Sequence, residues 1–170
     1  MVDQWILWLG DRLTATSSVP SDIVRLEFFL LIDVFGSMLG PLRRETKAIW
    51  GSVTELYGRH AANRGLAAGE VVEELQYLRE LLIRFLAPSI AALRPRQGMA
   101  LLLRLNRLVD RGVAMAVVGY TDALVAELLP NRDDGAPGRR TPEPDELTES
   151  LNQIRHELTR TISAPNVTAV

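Results

Sequence analysis

The 170-residue chain has no cysteine, which excludes disulfides, thiol nucleophiles, iron–sulfur clusters and cysteine-held zinc. Histidine is nearly as scarce. Its two copies, His60 and His156, lie on either side of a polar linker, so no two-histidine metal motif is present. There is no excess of charge of either sign: 19 basic and 21 acidic side chains give a formal net charge of −2. The basic field with which nucleic-acid binders hold phosphate backbones is therefore missing. No uncharged run reaches the roughly 20 residues of a membrane-spanning helix. The two most apolar stretches, 28–42 and 112–129, are broken by Asp33 and by Asp122 and Glu127. Met1-Val2-Asp3-Gln4 supplies no basic region ahead of the apolar segment from Trp5 to Leu9, so no secretory signal is expected. A phosphate loop and a nucleophile elbow are also missing.

Apolar side chains dominate what is there. They make up 47% of the chain, against 24% charged residues, with a mean hydropathy of +0.07. A single domain of this size buries roughly two-thirds of its unfolded surface and needs no crosslink to hold a core. The expectation is a cytoplasmic protein, or one held at the cytoplasmic membrane face through a partner. No cofactor, metal, nucleic acid or transmembrane segment is expected.

Apolar residues recur at three- and four-residue steps and nowhere alternate convincingly, which predicts an all-α fold. A first helix is expected over 3–13, with Trp5, Trp8, Leu9 and Leu13 on one face, followed by a break over 14–20. Ser21 begins a second, carrying Val24, Phe28, Leu31, Phe35 and Leu39 until Gly40-Pro41 stops it. A third spans 42–64, with Ile49, Val53, Leu56, Tyr57 and Ala61 on one stripe and Gly65 as a left-handed cap. A fourth starts near Gly69 and ends near Pro88, carrying Val71, Leu75, Leu78, Leu82 and Phe85, with a connector over 88–98. The longest is expected over 99–129. Gly112, Ala116, Gly119 and Ala123 line its middle, a candidate helix-packing interface within the bundle or between two copies.

Residues 131–144 are rich in Asp, Gly, Pro and Arg and read as an exposed linker. Beyond it, Leu147, Leu151, Ile154, Leu158 and Ile162 form the seam of a last amphipathic helix, which either folds back or pairs with another chain. The domain plan is thus a five- to six-helix bundle over 1–130, a linker over 131–144, and an amphipathic helix with a frayed tail over 145–170. The closing Thr168-Ala169-Val170 matches a carboxy-terminal recognition pattern but reads as part of that tail.

The most specific pattern runs from Tyr57-Gly58 to Leu78-Arg79. A short turn at Leu66 and Ala67 predicts an antiparallel hairpin in which residues equidistant from the turn meet. That register sets Ile49 against Phe85, Val53 against Leu81 or Leu82, Leu56 against Leu78, Tyr57 against Tyr77, and His60 against Glu74. Tyr57-Gly58, Ala61, Arg64-Gly65, Glu70-Val71, Glu73-Glu74 and Leu78-Arg79 together resemble the amino-terminal domain of RsbR-type co-antagonists, the sensory modules of bacterial stressosomes. Trp5, Leu9 and the segment from Asn106 to Asp122 also look like that family, so the resemblance covers about 3–129. It implies a globin-like, all-helical fold lacking haem, which dimerises and passes a signal to an output domain. Family members usually continue into a STAS domain or a kinase, whereas here one further helix follows, so action through other proteins is expected.

The candidate ligand- or partner-binding residues are Tyr57, His60, Arg64 and Arg79. His60 can act as a proton sensor near neutral pH, or be held in place by Glu74. Arg64 and Arg79 can grip an anion, or serve the nearby Glu70, Glu73 and Glu74. His156-Glu157-Leu158 resembles the phosphoacceptor box of histidine kinases, but Thr159-Arg160-Thr161 departs from it, and a solvated helix face is the preferred reading. Glu73 and Glu74 are sequence neighbours that point apart on a helix, so they form no catalytic dyad. No catalytic residues and no metal ligands are expected. The function expected is a non-catalytic protein-interaction module, a stand-alone sensory or adaptor domain of bacterial signalling that engages protein partners or a second copy of itself. The alternative is a structural accessory subunit docked on a larger, membrane-bound complex. A discrete pocket with convergent polar groups favours the sensor, and a broad apolar patch rimmed by charge favours the subunit.

Overall fold

The computed structural model describes residues 21–128 and 144–164, and every regular element among them is helical. The helix expected over 3–13, the linker expected over 131–144 except for Pro144, and the carboxy-terminal Thr168-Ala169-Val170 fall outside the described residues. The elements are α1 (Ser21–Leu39), a 3₁₀ turn (Pro41–Arg43), α2 (Lys47–Asn63), α3 (Ala68–Ala91), α4 (Pro95–Leu128) and α5 (Pro144–Ser163). No described helix is long and apolar enough to cross a membrane.

α1 is apolar almost all round because it is covered from several sides. Val24, Phe28, Leu30, Leu31, Val34, Phe35 and Met38 are buried where α2, α4 and α5 meet it. Gly40-Pro41 ends it as the sequence predicts, but the following helix does not start at 42. Pro41 opens the 3₁₀ turn, in which Leu42 leaves helical geometry, and the Thr46 hydroxyl donates to the Leu42 carbonyl at 2.8 Å before α2 begins.

The far end of α2 closes on Gly65, which has φ of 78°. Its N–H donates to the Ala62 carbonyl at 2.9 Å, and the Leu66 N–H donates to the Ala61 carbonyl at 3.1 Å, the paired bonds of a Schellman cap. The Glu70 carboxylate then accepts the Ala67 N–H at 2.7 Å and starts α3. Tyr120 on α4 donates its hydroxyl to the Leu66 carbonyl at 2.7 Å, which ties this turn to the longest helix.

The expected hairpin register does not persist along the two helices. α2 and α3 meet beside the turn, but the extended partner of α2 is α4. Phe85, expected opposite the buried Ile49, is 66% exposed. Equidistance from a turn places residues together only when two helices run side by side. Here glycines draw α2 onto α4 instead. A Cβ built on Gly58 would lie 1.8 Å from the Ala116 carbonyl oxygen, and one on Gly119 would lie 2.0 Å from that of Glu55, so the two backbones touch. One turn away, a Cβ on Gly112 would lie 2.8 Å from the Trp50 ring, whose indole N–H donates to the Leu108 carbonyl at 3.0 Å. Phe35 of α1 packs edge-on against that ring, with centroids 5.8 Å apart.

Two proline positions also depart from the sequence reading. Pro88 sits inside α3 rather than ending it, in an exposed segment where its carbonyl accepts the Ala92 N–H at 3.2 Å. Pro95 is the first residue of α4, where a missing N–H breaks no bond, so the connector shrinks to 92–94. α5 lies against α1 and α2 and buries Leu147, Leu151 and Leu158, with Ile162 left about half exposed.

Two glycines of α2 separate close packing from helix propensity. Nothing lies within 4 Å of a Cβ at Gly51, whereas Gly58 abuts α4 backbone. Gly51→Ala is expected to stabilise the protein by about 0.5–1 kcal/mol. Gly58→Ala is expected to destabilise it by about 1–3 kcal/mol through overpacking. Urea unfolding of both variants checks this, and a shift of the same sign in the two would contradict the α2–α4 contact.

Candidate functional site

Tyr57, His60 and Arg64 follow each other at helical steps on one stripe of α2. Because Gly58 and Glu55 face α4, this stripe is left to α1 and α3, which set Glu27 and Glu74 against it. All five side chains are buried, none more than 3% exposed. Arg64 forks Glu74, with Nη1 3.2 Å from Oε1 and Nη2 2.8 Å from Oε2. The Tyr57 hydroxyl donates to the same Oε2, and the guanidinium carbon lies 5.5 Å from the centre of the Tyr57 ring.

His60 takes a different partner from the one expected. Its Nδ1 lies 2.8 Å from Glu27 Oε1 on α1, a close polar contact without the alignment of a hydrogen bond. Both oxygens of Glu74, the expected partner, already accept from Arg64, and one also accepts from Tyr57. Nε2 of His60 and Nε of Arg64 have no hydrogen-bond partner among the described residues. Two carboxylates thus face one guanidinium and one imidazole inside the bundle.

Burial, reinforced by the Glu74 charge, raises the Tyr57 pKa well above the ordinary tyrosine value. For Arg64, burial works against the charged form, but Tyr57 and Glu74 outweigh it and the pKa rises, so the guanidinium stays charged. None of these groups is accessible from solvent. The arrangement joins α1, α2 and α3 through buried charge and exposes no nucleophile or general base.

Arg79 is separate. It pairs from α3 with Asp110 on α4 at the partly exposed surface, rather than with the glutamates beside it in sequence. Gly112, Ala116 and Gly119 are buried, with Gly112 and Gly119 closely facing α2, while Ala123 is half-buried. His156 is exposed on α5.

Sequence reasoning missed two features. Glu27 interrupts the otherwise apolar buried face of α1, and a carboxylate at such a position was a legible sign of a buried partner. The second is a groove of about 720 Å³ between the approach to α2 and the amino-terminal half of α4, lined by Arg44, Lys47, Arg104, Arg107 and Arg111. Its α4 arginines recur at helical steps and share a face, which the spacing alone could have revealed. Comparison with protein-family models, curated proteins and solved structures found no match.

Removing one member of the buried pair leaves the other uncompensated, so Glu74→Gln is expected to cost about 3–5 kcal/mol. The same change at the exposed Glu80, paired with Arg84 within α3, should stay within about 0.5 kcal/mol. Equal midpoints in denaturant for the two variants would contradict the network.

The raised Tyr57 pKa also fixes a sign. The folded protein keeps this proton where the unfolded chain releases it, so the contribution is complete below about pH 10 and is lost as pH rises through the folded value. Thermal melts from pH 8 to 12 should show an alkaline decline that is shallower in Tyr57→Phe. Parallel declines would contradict the assignment.

Proposed function

We propose that this chain is a non-catalytic protein-interaction module, a sensory or adaptor domain of bacterial signalling in the cytoplasm, with the globin-like bundle of RsbR-type co-antagonist input domains. The observation that carries this reading is the burial of Tyr57, His60 and Arg64 against Glu27 and Glu74. The buried ionisable groups of the most specific sequence pattern, Tyr57, His60, Arg64 and Glu74, lie between helices, which leaves the outer surface as the means of action. Val118, Val125 and Leu128 on α4 are large apolar side chains between 46% and 76% exposed, the kind of surface a protein partner or a second copy covers. A discrete groove in which five cations converge further favours a sensor over a passive subunit.

A second reading, a structural accessory subunit docked on a larger membrane-bound complex, is favoured by the exposure of Phe85, Leu93 and Met99 around the α3–α4 corner. Purification from the native source in mild detergent, with mass spectrometry of what is retained at fixed stoichiometry, separates the two. STAS-domain or kinase components are the expected companions, and Val118→Glu/Val125→Glu should reduce their recovery at least tenfold. Recovery with integral membrane proteins alone would overturn the signalling reading.

A further inference from the structure

We propose that the groove between the approach to α2 and the amino-terminal half of α4 is a binding site for a small amphipathic anion, a single apolar chain or ring bearing a phosphate or carboxylate head. This rests on the sensory reading above and names the class of molecule sensed.

Charge is the first argument. Arg44 and Lys47 come from one side of the groove, and Arg104, Arg107 and Arg111 from the other. None of the five forms an ion pair among the described residues, whereas Arg59, Arg64, Arg79 and Arg84 each have a carboxylate. Asp110, the acid next to Arg111 in sequence, is taken by Arg79. Five of the 19 basic side chains of a slightly acidic protein therefore face one concavity without an ion-pair partner among the described residues. Their mutual repulsion is relieved by a bound anion. Three guanidinium groups spread over about 10 Å of helix can fork a phosphate or carboxylate from more than one side.

The floor supplies the second argument. Met38 and Leu108 close the groove from below, and Leu103, 49% exposed, stands on its rim. An inorganic ion would leave that apolar surface wet, whereas a chain or ring attached to the head group covers it. A volume of about 720 Å³ falls within the range of roughly 300–1,000 Å³ typical of small-molecule sites. A concave site of that size suits one molecule better than a flat lipid surface.

The site also touches the core. Leu108, which lines the floor, accepts the Trp50 indole N–H through its carbonyl, and Trp50 packs on Gly112 and Phe35. An occupant therefore rests on a residue that anchors α2 to α4, and the Trp50 indole proton reports on it.

The test is calorimetric titration of the purified 170-residue chain with octyl phosphate below its critical micelle concentration, with the Trp50 indole resonance followed by NMR. Inorganic phosphate, octanol, a glutamate-rich peptide and phosphatidylglycerol vesicles serve as comparison probes. Saturable one-to-one binding of octyl phosphate is expected, at least tenfold tighter than inorganic phosphate or octanol. Arg104→Glu/Arg107→Glu should weaken it at least tenfold, and Arg94→Glu/Arg96→Glu, the same charge change outside the groove, less than twofold. Arg104→Gln/Arg107→Gln repeats the test with a milder change, and circular dichroism checks that each variant is folded. No saturable binding, equal binding by the groove and control variants, or binding to vesicles or the peptide but not to octyl phosphate would each overturn the proposal. Titration requires no partner, so its failure leaves the protein-interaction reading standing. Loss of partner recovery with octyl phosphate binding intact would count against that reading alone.

Discussion

Two helices can bring their backbones into contact only where side chains are small or absent, and α2 and α4 make such a contact, the most extensive between any two described helices. Gly58 of α2 sits on the Ala116 carbonyl of α4, and Gly119 of α4 sits on the Glu55 carbonyl of α2. With that face of α2 committed to α4, the stripe bearing Tyr57, His60 and Arg64 turns toward α1 and α3. Trp50 extends the same contact by one more turn, with its ring over Gly112 and its N–H on the Leu108 carbonyl. The bundle is thus organised around a central pair, with α1, α3 and α5 applied to it.

Charge is then buried where the outer helices meet α2. Apolar residues of similar shape often serve stability as well as a buried ion pair, because desolvation offsets most of the attraction. What the pairs add is position. Arg64 accepts one arrangement of α3, the one that presents both oxygens of Glu74, and His60 accepts one placement of α1, the one that brings Glu27 to Nδ1. The low dielectric that makes these contacts strong also makes an unpaired member expensive, so displacing α3 from α2 is opposed by the Arg64–Glu74 charges as well as by lost packing.

Much of this architecture was legible in the sequence, and the limits have physical causes. Three- and four-residue periodicity placed the helices because each buries one stripe, and Gly65 marked the end of α2 because a left-handed cap favours glycine. The seam of the last helix was legible in the same way, and Leu147, Leu151 and Leu158 are buried where α5 lies against α1 and α2. Tertiary partners were not legible. Pairing His60 with Glu74 followed from distance along a hairpin, and that rule carries no information about a third helix that competes for the same face. Glu27 and Arg44 lie far in sequence from the residues they face, so only the signs were readable: a carboxylate on an apolar face, and arginines repeated along one stripe of α4.

Tyr57, His60, Arg64, Glu27 and Glu74 form an inner set of ionisable residues between helices, apart from the outer surface that we propose meets partners. Replacing the buried pair by apolar residues, as in Arg64→Met/Glu74→Leu, tests that separation most directly, because it removes the charges without leaving either unpaired. If the pair is a lock, the double variant keeps a cooperative unfolding transition and recovers its protein partners as fully as the parent chain. A double variant that folds with parental stability yet recovers no partner would contradict the account and place Arg64 and Glu74 in the binding surface itself.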